Sequence, residues 1–446
     1  VEIIENKDQL IRYFEAGSKS SDRWGIGTEH EQFLFLRDRL ERAAYGGTHG
    51  IAEIMQYMQK ADGWKPVTES GNIIALRKNG ASITIEPGGQ FELSGSNFKT
   101  VHETNRETRL HFDMLKNICK EFGVGSLCLG FDPLSTREQV PWMPKKRYEY
   151  MRNYMPTRGT LGLDMMTRTA CIQVNLDYGN EQDMVKKMRV AQAFQPVITA
   201  IFANSPFTEG KPNGYLSYRA RVWDDTDPDR CGFLPLVFEE GFGFERWVDY
   251  LLDVPMYFIY RDGEYLSSGN ITFRQFLNGE HELKPTMEDW DTHVSTVFPD
   301  VRLKRFIELR GADAGCINHI VALSALWVGL MYDEQSLEEA WSIASQWNLE
   351  NLKEIRSQVP KLGLRSQSGN LNMLQISREV VRMASEGLTR RAKLLGIEDE
   401  GCYLHPVKRI VDSGITQAEQ LLEKYHTLWK QDVSELIKDC PGTNDK

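Results

Sequence analysis

Four short segments carry metal- or phosphate-binding side chains an even number of residues apart, inside otherwise strand-like sequence. They are Glu29–His30–Glu31, Glu86 to Glu92 in IEPGGQFEL, Gln173–Val174–Asn175 and Glu308–Leu309–Arg310. Residues i and i+2 of a strand point to the same side. Strands joined in one sheet would therefore gather five carboxylates, two amides and an arginine on one surface. Crowded carboxylates repel and raise one another's pKa unless a counter-charge is present. Hard cations, Mg²⁺ foremost, supply it economically, and the usual reason to hold Mg²⁺ is a polyphosphate such as ATP. The pattern points to an enzyme that handles phosphoryl groups.

A chain of 446 residues, 41% of them apolar, buries a large core without a disulfide or metal staple. The net charge of −10 argues against nucleic acid as a partner. The basic–aromatic run KKRYEYMRNY, Lys145 to Tyr154, stands alone. Cysteines 119, 128, 171, 231, 316, 402 and 440 are scattered and form no CxxC, which suits reduced thiols in a cytoplasmic protein. The first residues have acids where a signal peptide has bases. The most apolar stretch, Ile320–Tyr332, falls short of the roughly 20 residues a membrane span needs. No membrane partner is expected.

The periodicity predicts a helix over Lys7–Ala16 and a long strand over Trp24–Leu36. Asn72–Leu76 and Ala81–Ile85 flank the turn dipeptide Asn79–Gly80, and Gln90–Leu93 continues as strand. Helices are expected over Glu103–Phe122, Lys146–Tyr154 and Gln182–Ala203, and strands over Gly125–Gly130, Arg168–Tyr178 and Leu303–Arg310. Phe258–Leu266 suggests a hairpin around Asp262–Gly263. Beyond Cys316 nearly everything is helical, with Ile376, Val380, Met383 and Gly387 at helical spacing. Length alone suggests two or three domains, but no linker or composition break separates the strands. The expected architecture is α+β: one catalytic domain, 1–446, on an antiparallel sheet, with a mainly helical part, 316–446, packed on it.

Each constellation has a plainer alternative. Glu29 and Glu31 are either ligands or edge-strand carboxylates facing water; Phe33 and Phe35 on the same side favour the first, and Gly27 leaves room for an approach. Gly88–Gly89 is a bulge in preference to a loop of bare amides near phosphate. Gln173 and Asn175 are neutral oxygen donors or backbone-paired amides. Arg302, Lys304, Arg305 and Arg310 surround Glu308, either gripping phosphates or lining a solvated strand. Arg152, Arg168 and Arg219 suit a substrate carboxylate. NSPFTEGKPNG is a cover over a cleft or a surface turn. Trp223, Met256 and Tyr257 line a small apolar pocket or pack in the core.

GTEHEQF, IEPGGQFELSG, RNYMP, GLDMM, QVNLDY, ANSPFTEGKPNG, DVPMYF, FRQFL and FPDVRLKRFIELRGAD together resemble the plant-type glutamate–cysteine ligases, from about residue 5 to the C-terminus. The resemblance implies a bowl-shaped antiparallel sheet backed by helices, related to glutamine synthetase, where ATP, Mg²⁺, glutamate and cysteine meet. It implies metal ligands at Glu29, Glu31, Glu86, Glu92, Gln173 and Glu308. Arg310, with Arg305 second, would stabilise the transferring phosphoryl group. Arg152, Arg219, Asn175, Trp223, Met256 and Tyr257 would bind substrates. A monomer or homodimer is expected. Plant members carry cysteines where this chain has Asn105 and Val321, and another pair around a hairpin that here reads FRQFLNGEHELKP. The chain is thus expected to be a bacterial member without that thiol switch. The alternatives are a γ-glutamyl ligase for another amine and a non-catalytic nucleotide-binding relative.

Overall fold

Strand β1, Ile26–Leu36, organises the molecule because it has two sets of neighbours. The computed structural model describes residues 2–439. The other strands of its ten-stranded sheet are β2 (Glu41–Arg42), β3 (Lys65–Glu69), β4 (Asn72–Lys78), β5 (Ala81–Ile85), β6 (Phe91–Ser94), β7 (Val124–Leu127), β8 (Cys171–Leu176), β9 (Val301–Leu303) and β10 (Ile307–Asp313). The order is β9-β10-β8-β1-β6-β5-β4-β3, and every pairing is antiparallel, as expected. The first part of β1 lies between β6 and β8, while Phe33–Leu36 pair with β7 and the strand's end also pairs with β2.

The two faces of β1 separate by parity. Thr28, His30 and Gln32 are buried against helices. The Thr28 and Ser324 hydroxyls lie 2.9 Å apart, and the His30 ring meets that of His111 edge-on at 5.1 Å. Gly27, Glu29 and Glu31 face the other way and stay partly open. Farther along that face, Phe33 and Phe35 are buried with Leu127, Leu129 and Phe207, and the Arg42 guanidinium lies 4.4 Å from the Phe33 ring. The open and closed halves of one face thus follow the change of partners.

The helices that matter below are α1 (Val101–Phe122), α2 (Lys146–Tyr154), α3 (Gly162–Arg168), α4 (Glu181–Ile201), α5 (Tyr218–Asp224), α6 (Ile317–Met331), α7 (Leu349–Leu362) and α8 (Met373–Leu395). A capping box between Thr100 and Glu103 starts α1, and Gly123, at φ 62°, ends it. Helix α6 is buried from Ile320 to Met331, which explains its unbroken apolar run. A Cβ on Gly329 would lie 2.2 Å from the Ala384 carbonyl oxygen, and one on Gly387 2.0 Å from that of Gly329, so α6 and α8 cross backbone to backbone. One apolar cluster runs from Ile4 to Val411. Among the described residues no helix is long and apolar enough to cross a membrane.

Three expectations are corrected. Leu303–Arg310 is not one strand: β9 and β10 form a hairpin that turns at 304–306, with Arg302 opposite Glu308. Gly88–Gly89 is not a bulge but the turn joining β5 to β6. The Gly89 amide donates to the Glu86 carbonyl (2.7 Å) and that of Gly88 to Gln90 Oε1 (2.9 Å). Register shifts fall instead between Leu309 and Ala312, where β10 pairs with β8, and between Val67 and Thr68, where β3 pairs with β4. The strand expected from Arg168 begins at Cys171, because Arg168 closes α3. Cys119, Cys171, Cys231, Cys316 and Cys402 are free thiols, and Cys440 lies outside the described residues.

Candidate active site

The open half of the β1 face forms the floor of a cleft of about 210 Å³. Pairing sets its acidic wall: Glu31 lies directly opposite Glu92 across β1 and β6, and Glu29 opposite Gln173 across β1 and β8. Glu86, at the end of β5, completes the wall. Glu92 accepts from Thr84 Oγ1 (3.1 Å) and Ser94 Oγ (2.8 Å), Glu31 from the Cys171 amide (2.9 Å), and Glu29 from Asn175 Nδ2 (2.8 Å). The Asn175 side chain fills the space beside Gly27 that the sequence left open, at 3.1 Å from where a Cβ would stand.

Burial, reinforced by Glu86, pushes Glu31 up to about 7. Burial and then the charges of Glu86, Glu29 and Glu31 hold Glu92 well above its usual range. Glu29 is raised by burial and by Glu308, against the hydrogen bond from Asn175. Among the described residues no three His, Cys, Asp or Glu side chains already stand as a metal cage. The carboxylates nevertheless fit a divalent cation in charge and chemistry, since it would relieve the mutual repulsion that raises them.

The basic wall comes from β9, β10 and α5. Arg310 lies at the register shift in β10, and its Nη1 donates to Gln173 Oε1 (2.6 Å) and Glu308 Oε2 (3.2 Å). Arg302 clasps Glu308 through Nε (2.5 Å) and Nη2 (3.0 Å), and its Nη1 donates to the Ser295 and Val297 carbonyls. Despite burial, Arg302, Lys304 and Arg310 hold Glu308 far below the carboxylate range. Glu308, expected as a metal ligand, is here the counter-charge of two arginines. Arg219 Nη2 donates to the Arg310 carbonyl (2.9 Å), and both guanidiniums lie within 6 Å of the Trp223 ring, at 5.8 and 5.6 Å. Among the described residues, buried Arg219 Nε and Trp223 Nε1 have no hydrogen-bond partner.

Lys145, Arg147 and Tyr148 also line the cleft and escaped the sequence argument. Burial lowers Lys145, while Glu86 opposes that shift. Arg147 Nε is buried without a partner among the described residues. Their signal was the run KKRYEY, whose aromatic and basic residues serve this cleft. Met151, Met165, Met166 and Phe298 supply the apolar lining.

Several expected residues stand elsewhere. Arg305 is exposed in the β9–β10 turn, 4.6 Å from the Tyr13 ring centre. Arg152 is exposed and stacks at 4.5 Å on Trp142, because a helix turns it about 100° from Met151. Met256 and Tyr257 are core residues, with the Arg230 guanidinium 3.8 Å from the Tyr257 ring. Arg168 is paired with Asp164 and Glu209. The NSPFTEGKPNG loop is tied down through Asn204 and Ser205 to Asp313 (2.8 and 2.6 Å).

Comparison with known proteins agrees with this geometry. The model of the family described as Glutamate-cysteine ligase family 2 (GCS2) matches residues 25–439. The chain is 46% identical over 437 residues to a chloroplastic glutamate–cysteine ligase of Nicotiana tabacum, covering 97% of this chain and 82% of that protein. It is 45% identical over 438 residues to the corresponding enzyme of Arabidopsis thaliana, with the same coverage. A crystal structure of glutamate–cysteine ligase from Francisella tularensis in complex with AMP superposes with a TM-score of 0.57. It has 11% identity, over 93% of this chain and 87% of that one, a likeness of fold.

Proposed function

The chain belongs to glutamate–cysteine ligase family 2, and on that premise we propose that it joins the γ-carboxylate of L-glutamate to the amine of L-cysteine, converting ATP to ADP and phosphate. The product, γ-glutamylcysteine, is the first intermediate of glutathione synthesis. The observation that carries this is the meeting of two walls in one cleft, the Glu31–Glu92 pair on one side and Arg310 on the other.

A γ-carboxylate oxygen of glutamate attacks the γ-phosphorus of ATP, and ADP leaves. The cysteine amine then attacks the acyl carbon of the γ-glutamyl phosphate, loses a proton, and expels inorganic phosphate. Mg²⁺, held by Glu29, Glu31, Glu86 and Glu92 with Gln173 beside them, would neutralise the polyphosphate. Arg310 turns from Glu308 to the equatorial oxygens of the transferring phosphoryl group, and Arg302 keeps Glu308 compensated when it does. Arg219 Nε and Trp223 Nε1 offer donors to a substrate carboxylate, with Asn175 at the floor. Lys145 and Arg147 close the cleft over anionic groups, and Met151, Met165 and Phe298 receive the thiol side chain. No protein nucleophile is required.

The chain acts as one catalytic unit, since residues 29 to 310 line a single cleft. We place it in the cytoplasm as a monomer or homodimer, with reduced thiols, although the plant relatives are named as chloroplastic. ADP release measured with Mg²⁺–ATP and glutamate, with and without a panel of amines, tests the proposal. Release strongly increased by cysteine, with γ-glutamylcysteine as product, is expected. Turnover equal with water alone, or a preference for ammonia, contradicts it.

A further inference from the structure

We propose that Arg356, on α7 in the helical C-terminal third, is a positioning residue that fixes the spacing between the two segments carrying the basic wall of the cleft; the inference rests on the ligase function above. Its Nη1 lies 2.8 Å from Asp224 Oδ1, while Nε and Nη2 donate to the two carboxylate oxygens of Asp300 at 2.9 and 3.3 Å. Asp224 follows Trp223 at the end of α5, the helix that also bears Arg219. Asp300 precedes β9, and its carbonyl accepts the Arg310 amide at 3.2 Å. One guanidinium therefore spans α5 and the hairpin that carries Arg302 and Arg310.

Packing between those segments is incomplete on the side that faces α7. Behind Arg219 and Arg310 lies a small cavity of about 40 Å³ that Arg356, Asp224 and Asp300 also line. Gln195 projects into the notch beside Gly311, where a Cβ would stand 1.9 Å from its Oε1, and both its buried amide atoms lack partners among the described residues. The Arg219 bond to the Arg310 carbonyl ties the two segments on the cleft side of this gap, and the Arg356 ion pairs tie them on its far side. Without Arg356, two carboxylates would face each other across it, and like charges in a partly buried site repel. A planar fork can satisfy both at once, which the point charge of a lysine cannot.

Misplacing catalytic groups by about 1 Å costs on the order of 100-fold in rate. Arg356→Gln should therefore lower kcat about 10- to 100-fold, with KM for ATP changed less than about threefold. Arg356→Lys should recover part of the loss. Adding Asp224→Asn and Asp300→Asn to Arg356→Gln should recover part of it too, by removing the repulsion. Hydrogen exchange supplies a readout apart from turnover: it should quicken in residues 218–224 and 298–310 and stay unchanged in β3, β4 and β5. Unchanged exchange in both segments overturns the inference, as does a kcat retained by Arg356→Gln beside an active wild type. A wild type that makes no γ-glutamylcysteine overturns instead the ligase function, and this role with it.

Discussion

Glu31 and Glu92 face each other across adjacent strands, with Glu86 close enough to raise both. Such a pair has opposite consequences for stability and activity. Glu92→Gln removes one anion from the crowd, so the metal-free variant should melt at or above the wild-type temperature. Its turnover should fall at least about 100-fold, because a neutral amide replaces a charged ligand. Wild-type turnover in this variant would show that the wall serves no cation. Glu308→Gln should behave differently: it strips Arg302 and Arg310 of their counter-charge and should cost about 3–5 kcal/mol of stability as well as activity. Denaturant titration separates the two variants. The pH dependence follows from Glu31, raised to about 7. The folded state holds this proton more tightly than the unfolded state, so the stabilisation is complete below the ordinary carboxylate pKa and is lost as pH rises through 7. Metal-free wild type should thus lose melting temperature between pH 5 and 8. Saturating Mg²⁺ should reverse that loss, and Glu31→Gln should flatten the slope.

Elements were legible where the signal is local. The parity of Glu29 and Glu31, the Asn79–Gly80 hairpin and the bounds of α2 all follow from period and turn chemistry. The β9–β10 turn was not legible, because VRLKRFIELR alternates without a Gly, Pro or Asn to mark a reversal. The role of α2 was hidden for another reason. A helix predicted with correct bounds carries no local sign of the surface it covers, and Lys145 and Arg147 gain meaning only beside Glu86. The same holds for Gly387, which fits its helix by spacing alone while its contact, the backbone of Gly329, lies 58 residues earlier, at 329 against 387. Gly387→Ala should therefore destabilise the protein by about 1–3 kcal/mol, because a methyl there meets a carbonyl and not a movable side chain. Equal stability of this variant would show that α6 and α8 can part without cost.

At the scale of the whole molecule, the sheet brings residues 29 to 310 to one cleft, and α7, from the C-terminal third, reaches Asp224 and Asp300 behind its basic wall. Family motifs made the catalytic half of this visible in the sequence, whereas the behaviour expected of the thiols is argued from their surroundings. Cys171 lies in the cleft as a free thiol, 3.5 Å from Glu31 Oε1, with burial and then Glu31 holding its pKa well above the usual value. It should react slowly with alkylating agents, and turnover should be nearly equal after mild oxidant or reductant. Thiol counting should find seven free thiols, and five with altered activity would contradict this. The activation of glutamate by phosphorylation is tested by oxygen transfer. When glutamate labelled with ¹⁸O in both γ-carboxylate oxygens is turned over with Mg²⁺–ATP and cysteine, one labelled oxygen should appear in each inorganic phosphate and one remain in γ-glutamylcysteine. Phosphate free of label, with product still formed, would contradict it.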